Sequence, residues 1–246
     1  IIQLGMNPIA VDCNISTLNV MSDNLLDTLK HTDLDALFIT NVLGFCGDLQ
    51  KIKDICESKN IILIEDNCEA LGTKLPEGKT GNFGIGSSFS FFVAHHMSTI
   101  EGGMVCTDNE ELAQMLRIVR ANGWDRNLNS EQQYKLRKAH NIKSEFQAKY
   151  TFYDLGYNLR PTEITGFIGL QQINYLDDNN LKRNQNHLFL EEEIKKNNDL
   201  ITPNHDHIEF LSPFALPIIC KNDAAKTHYF KQFSGAGIEI RPMISG

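Results

Sequence analysis

Ile61-Ile62-Leu63-Ile64-Glu65-Asp66 is a short aliphatic run that stops at two carboxylates, and Asn67-Cys68-Glu69-Ala70-Leu71-Gly72 follows at once. The Ile61–Ile64 stretch reads as a strand, and in open α/β sheets ligands gather at the carboxyl ends of strands. Glu65 and Asp66 therefore mark an edge that faces a ligand. Upstream, Asp35–Thr40 (DALFIT) predicts a buried strand, and Asp48 is placed to cap a helix whose Leu49, Ile52, Ile55 and Cys56 share one face. Downstream, Ser87–Phe92 alternates like a strand, and a Gly-Gly turn leads into another at Met104–Thr107. Asp108 and Glu111 suit a capping box for a helix through Leu112, Leu116 and Val119. Short apolar runs alternating with helical periodicity predict an α/β fold of β-α-β units around a parallel or mixed sheet.

The pattern weakens beyond that point. Ala121–Tyr150 is polar and reads as irregular. Pro161 suits the first turn of a helix carrying Ile164, Phe167, Ile168 and Ile173, and a second helix is expected through Leu188–Ile194. A strand near Phe214–Cys220, a helix near Asp223–Phe233 and a strand near Ile238–Arg241 would build a smaller α+β unit. The expected division is 1–175 for most of a large ligand-binding domain and 176–246 for part of a small C-terminal one. Ile1-Ile2-Gln3-Leu4 reads as entering the middle of a fold, and the chain stops just past its last expected strand, so further sequence is expected at both ends.

At 246 residues and 41% hydrophobic content the chain can bury a sizeable core. A net charge of −8 with no basic run gives no field to gather nucleic acid or an anionic membrane, and neither is expected as a partner. Cys13, Cys46, Cys56, Cys68, Cys106 and Cys220 form no C-x-x-C pair and read as reduced, buried thiols. No apolar run approaches the ~20 residues of a membrane span. A soluble, cytoplasmic protein is expected.

Three stretches taken together carry more specific chemistry: Leu63–Gly72, then Ser88-Phe89-Ser90-Phe91-Phe92-Val93-Ala94-His95-His96, then Ser98-Thr99-Ile100-Glu101-Gly102-Gly103. In order and spacing they resemble the DegT/DnrJ/EryC1/StrS family of sugar-modifying enzymes that use pyridoxal phosphate, and the likeness runs from about Gly5 to Arg241. The resemblance implies a fold-type I α/β architecture, a mostly parallel sheet with helices on both faces and a smaller C-terminal α+β domain. It implies that Asp66 pairs with the pyridine nitrogen of the cofactor, a carboxylate keeping that nitrogen protonated so that the ring accepts electrons. An isolated Asp at a strand end would more often cap a turn. Ser90 would bind the cofactor phosphate, or stand as an ordinary polar residue of an alternating strand. Glu69 would face the cofactor ring, or be a solvent-facing acid in the first turn of a helix. Asn158, within Gly156-Tyr157-Asn158-Leu159-Arg160-Pro161, matches the residue that reaches the neighbouring subunit's cofactor phosphate, which implies a homodimer.

His95 departs from the family pattern, standing seven residues before Gly102 where the cofactor-binding lysine belongs. No lysine occurs between Thr80 and Tyr134. An imidazole has no primary amine to condense with the cofactor aldehyde, yet its ordinary pKa near ~6.5 suits proton transfer at neutral pH. The His-for-Lys branch of the family consists of 3-dehydratases acting on 4-keto-6-deoxy nucleotide sugars from the pyridoxamine phosphate form. One kind holds an iron–sulfur cluster on cysteines after the E-G-G turn; here no cysteine lies between Thr107 and Ile219, so no cluster is expected and no metal ligands are assigned. The likeness is to the kind that takes a GDP-linked sugar.

The resemblance therefore implies removal of a sugar C3 hydroxyl, with His95 as the proton-transfer group and glutamate as the amino donor. Trp124, Arg126 and Arg241 are candidates for the nucleotide-diphosphate sugar, as is Arg120, since guanidinium forks suit diphosphate and an indole face suits a base or sugar. His96 is a further candidate there, or a histidine that simply packs in its loop. Two rivals remain: a sugar aminotransferase whose lysine comes from elsewhere, and a degenerate regulatory protein that binds cofactor.

Overall fold

The structure, a computed structural model, describes residues 1–243. After α1 (Ser22–Thr28) the chain enters β1 (Ala36–Thr40), returns through α2 (Leu49–Ser58) and runs into β2 (Ile62–Asp66). A tight hairpin of β3 (Lys74–Leu75) and β4 (Gly78–Lys79) leads on to β5 (Gly86–Ser90) and β6 (Gly103–Cys106). The main sheet has the order β1-β2-β5-β6. β1, β2 and β5 are parallel, with Thr40 opposite Asp66 and Asp66 opposite Ser88. β6 closes the edge antiparallel, with Ser90 opposite Gly103. The expected α/β fold with a mostly parallel sheet is what the chain forms.

Side chains alternate across a strand, so register decides what the two faces carry. Leu37, Ile39 and Leu63 point into a core completed by Leu25, Leu49, Ile52, Leu75 and Phe83. The opposite face carries Phe38, Ile62 and Val105, each just over half exposed, so DALFIT is buried on one side only. Asp66, Ser88 and Ser90 fall on that second, open face by their register. Glu65 points into the core, where its carboxylate accepts the backbone N–H groups of Gly81, Phe83 and Gly84 at 2.7–2.9 Å. A buried acid is tolerated because its oxygens are met by donors, and it fixes the loop that feeds β5.

Several local expectations are corrected. Asp48 precedes α2 without capping it; its carboxylate takes the backbone N–H and hydroxyl of Ser22 at 2.7 and 2.6 Å, tying α1 to α2. Asn109, not Asp108, caps α3 (Glu110–Val119) by accepting the N–H of Leu112 at 2.9 Å. The stretch read as irregular holds α4 (Ser130–Ala139), opened by an Asn129/Gln132 capping box, and α5 (Glu145–Ala148), capped by Ser144. α4 is polar nearly all round, so it shows no apolar stripe; its caps and the Arg137–Asp125 pair at 2.7 Å hold it. Thr162 caps α6 (Glu163–Gln172), so Pro161 lies before the cap instead of in the first turn.

A 3-10 turn at Ile173–Tyr175 leads into α7 (Leu176–Ile194), which starts well before Leu188. The expected boundary at 175/176 falls at this junction. Residues beyond it touch what precedes them: Asn180 donates to the Leu71 carbonyl, and Ser212 donates through its hydroxyl to the same carbonyl. The expected strand at Phe214–Cys220 shrinks to β8 (Ile219–Cys220), paired antiparallel with β7 (Leu200–Ile201). α8 (Asp223–Gly235) follows as anticipated, but Ile238–Arg241 forms no strand. Of the cysteines only Cys46 and Cys56 are buried, while Cys13 and Cys106 are exposed. No helix among the described residues is long and apolar enough to cross a membrane.

Candidate active site

The carboxyl ends of β2 and β5 lie side by side, and register puts Ser88 beside Asp66. The Ser88 hydroxyl donates to Asp66 Oδ1 at 2.9 Å, and the Cys68 backbone N–H donates to the same oxygen at 3.1 Å. Both bonds orient the carboxylate and fall on one oxygen, which leaves Oδ2 for a further donor. Cys68 and Glu69 form a turn and do not open a helix, so the helix-dipole reading of Glu69 falls away. The Glu69 carboxylate instead accepts the backbone N–H of Leu43 at 2.7 Å. Burial raises its pKa, opposed by that N–H and reinforced by the nearby Asp66. Leu43 has φ 56°, a left-handed conformation that an ordinary residue adopts at a cost, and the Glu69 bond helps hold it.

His95 stands in the loop between β5 and β6, whose neck is closed by Phe91. The Phe91 N–H donates to the Gly102 carbonyl at 2.9 Å, and the Thr99 N–H donates to the Phe91 carbonyl at 2.8 Å. Gly102 has φ 154° and packs so tightly on Thr99 that a Cβ would collide with its hydroxyl, which explains a glycine at this turn. Within the loop, His95 Nδ1 lies 3.0 Å from the Cys68 carbonyl. A carbonyl only accepts, so Nδ1 carries the hydrogen and Nε2 keeps its lone pair. Phe92 and Phe214 flank the ring at 6.1 and 5.0 Å between centroids. Burial lowers the His95 pKa, and the positive charge of Arg183 lowers it further.

One residue thus connects the two reactive positions: Cys68 gives its N–H to Asp66 and its carbonyl to His95. Its own thiol, pushed up to about 12 by burial first and then by Asp66, is inert as a nucleophile. Beside His95 opens a cavity of about 370 Å³ lined in part by Ser98, Gln172, Lys182 and Arg183. The last two give it a positive wall that suits an anion. Cys68, Ser88, Lys182 and Arg183 escaped the sequence reading; only the parallel register, which puts a second strand's serine beside Asp66, could have pointed to one of them.

Other expected residues lie elsewhere. Ser90 ends β5 on the open face, its hydroxyl accepting the Phe92 N–H at 3.3 Å. His96 is only 4% exposed; Nε2 lies 3.1 Å from the Ser212 carbonyl, and burial lowers its pKa to about 4. It therefore stands neutral, as a packing link at the edge of the same cavity. Asn158 is exposed and bridged to Ala121, with no hydrogen bond to Asp66, Ser90 or His95 among the described residues. Arg126 lays its guanidinium 3.6 Å above the Trp124 ring and donates to the Lys149 carbonyl at 2.7 Å. It borders a second cavity of about 400 Å³ with Arg137 and Tyr150. Arg241 lines neither cavity and pairs with Glu239 at 2.6 Å on the exposed C-terminal segment, and Arg120 is exposed at the end of α3.

A parallel-centred sheet with a held carboxylate at one strand end and an imidazole in the next loop defines a fold-type I, aminotransferase-like α/β protein. The chain belongs to the DegT/DnrJ/EryC1/StrS aminotransferase family, whose model matches residues 1–244. It is 33% identical to the GDP-4-keto-6-deoxy-D-mannose 3-dehydratase of Yersinia pseudotuberculosis, covering 99% of this chain and 61% of that protein. The solved E coli GDP-4-keto-6-deoxy-D-mannose-3-dehydratase with bound hydrated PLP superposes at a TM-score of 0.83 with 33% identity, over 96% of this chain and 60% of that one. A GDP-4-keto-6-deoxymannose-3-dehydratase structure with a trapped PLP-glutamate geminal diamine gives 0.85 and 33%, over 96% and 60%. The chain spans about three-fifths of the length of the relatives it matches.

Proposed function

We propose that the protein to which this chain belongs is a pyridoxamine/pyridoxal-phosphate-dependent 3-dehydratase of a 4-keto-6-deoxy nucleotide sugar, of the GDP-4-keto-6-deoxymannose type. The observation that carries the proposal is His95, where the family has lysine, held through Nδ1–H on the Cys68 carbonyl with Nε2 free. The residues present fit the cofactor: the Asp66 carboxylate is oriented from one oxygen only, and Ser90 lies on the same sheet face. When bound, the cofactor supplies an amine for the sugar's C4 ketone and a ring that accepts electrons.

Asp66 holds the proton of the pyridine nitrogen. Ser90 binds the phosphate, and Asn158 of the other subunit completes that site in a homodimer. Glu69 fixes the 42–44 turn beside the ring. With the cofactor bound, His95 Nε2 would move a proton at the carbon next to the ring, in the range where imidazole serves best. The outcome would be loss of the C3 hydroxyl as water and a 3-deoxy-4-keto sugar, the amine leaving as ammonia on hydrolysis and glutamate restoring it. Lys182 and Arg183 supply positive charge for the diphosphate. Arg126, which borders the second cavity and stacks on Trp124, would meet the nucleotide with it, His96 acts as a positioning residue, and the domains divide at 175/176 in a cytoplasmic enzyme.

The test is the complete polypeptide incubated with pyridoxal phosphate, glutamate and GDP-4-keto-6-deoxymannose. A 3-deoxy product is expected, and after borohydride the cofactor should remain removable by denaturation. A reduced cofactor adduct on any lysine, with an amino sugar as product, would make it an aminotransferase instead.

A further inference from the structure

α7 carries His187 and Glu191 one turn apart on the same face, and the 203–208 segment lays His205 against them. One ligand atom from each of the three lies within 4.8 Å of the other two. Phe45 meets both imidazoles edge-on at 5.6 and 5.9 Å, and the imidazoles stand 5.9 Å apart. His187 is 4% exposed and Glu191 3%. His205 Nε2 is 3.2 Å from both Glu191 oxygens, and the Lys195 ammonium is 3.4 Å from one of them.

Among the described residues, His187 has no hydrogen-bond partner on either ring nitrogen. Burying an unmet polar group costs about 1–3 kcal/mol, and a leucine or phenylalanine beside Phe45 would fill the space without that cost. A neutral imidazole without a partner, a second imidazole and a carboxylate form the donor set of a borderline divalent ion, while magnesium and calcium prefer oxygen.

We infer that His187, Glu191 and His205 bind a divalent transition ion of the zinc class, with three protein ligands and a fourth place open. Zinc–nitrogen and zinc–oxygen bonds of about 2.0–2.2 Å put tetrahedral ligands roughly 3.5 Å apart, so closing the site requires movement of about 1 Å. His205 Nε2 gives up its hydrogen to become a ligand, by tautomer shift or to solvent. Lys195 swings to Glu192, already 3.4 Å away. The ion clamps α7 to the 203–214 segment, which returns Leu211 and Ser212 to the core.

The test uses the complete polypeptide, chelator-treated and dialysed, titrated with cobalt(II) alone and then zinc(II) alone. One equivalent of cobalt should produce the visible absorption of a tetrahedral ion, zinc should abolish it, and zinc but not magnesium should raise the melting temperature by a few degrees. His187→Phe, which keeps the aromatic packing, and His205→Gln should each weaken zinc binding by at least ~100-fold, beyond what outer-shell partners contribute. No visible cobalt band in the parent protein would overturn the site, whatever the variants do. So would a band of undiminished affinity in either folded variant. Neither readout depends on turnover, so the proposed dehydratase activity stands or falls separately.

Discussion

At the scale of the residue, Asp66 at the end of β2 and His95 in the loop after β5 are held by one backbone unit, that of Cys68. Asp66→Asn keeps an oxygen for the Ser88 hydroxyl and the Cys68 N–H, so the fold and melting temperature should be unchanged. It loses the charge that keeps a pyridine nitrogen protonated, and dehydration should fall by roughly 10²-fold or more. Comparing initial rates of the two folded proteins checks this; a variant at parent rate would remove Asp66 from the site. His95 must be neutral to accept a proton in the proposed role. Burial and Arg183 lower its pKa from 6.5, so kcat/KM should be level at neutral pH and fall on acidification with a midpoint below 6.5. A midpoint above that value in the pH–rate profile would contradict the geometry. Asp66, Ser90 and His95 were picked out in the sequence by the order and spacing of the three motifs that resemble the family. Cys68 was not, since it acts through a peptide group that every residue has. Arg183 was not, since only the fold brings α7 to the loop after β5.

At the scale of the element, buried polar side chains decide which loops stay in place. Glu65→Gln puts an NH₂ group where the carboxylate accepted N–H, so one donor faces another and the 81–84 loop loses its anchor. Charge-assisted bonds of this kind contribute about 1.5–3 kcal/mol each, so a loss of about 3 kcal/mol or more in urea unfolding is expected. His96 joins the β5–β6 loop to Ser212, and its pKa of about 4 lies below the ordinary 6.5. As pH falls from 6.5 to 4 the unfolded chain takes up a proton that the folded one refuses. Stability should therefore be complete above pH 6.5 and fall by on the order of 3 kcal/mol towards pH 4. Unfolding curves across that range should be less steep in pH for His96→Gln, which can still donate to Ser212. Sequence periodicity located β1, β2, β5, α2 and α8, where apolar residues repeat against a core. It missed α4, where polar residues surround the helix and the caps carry the signal. It overextended the strand near 214–220 and expected one at 238–241 where none forms, because an apolar run alone does not tell a strand from a segment that packs without pairing.

At the scale of the whole molecule, a dense run of exposed apolar residues lies between Phe152 and Tyr175. Leu155 is 91% exposed, and α6 shows Ile164, Phe167 and Leu170 at 66–70%, continued by Ile173 at 57%. α6 starts five residues after Asn158, the residue proposed to serve the neighbouring subunit, so an interface on this surface would bury the stripe and deliver that side chain together. Isologous pairing suits such a patch because each copy then covers the other's apolar surface. The complete polypeptide should therefore sediment as a dimer. Phe167→Lys combined with Leu170→Lys would place four ammonium groups in a dry interface and should shift it to monomer at micromolar concentration. If Asn158 acts across the interface, the same variant should bind pyridoxal phosphate at least tenfold more weakly, although neither changed residue lines the cavity beside His95. Sedimentation velocity paired with cofactor titration separates the possibilities. A monomeric variant with parent affinity would keep the interface and remove Asn158 from the partner's site, whereas an unaltered dimer would place the interface elsewhere.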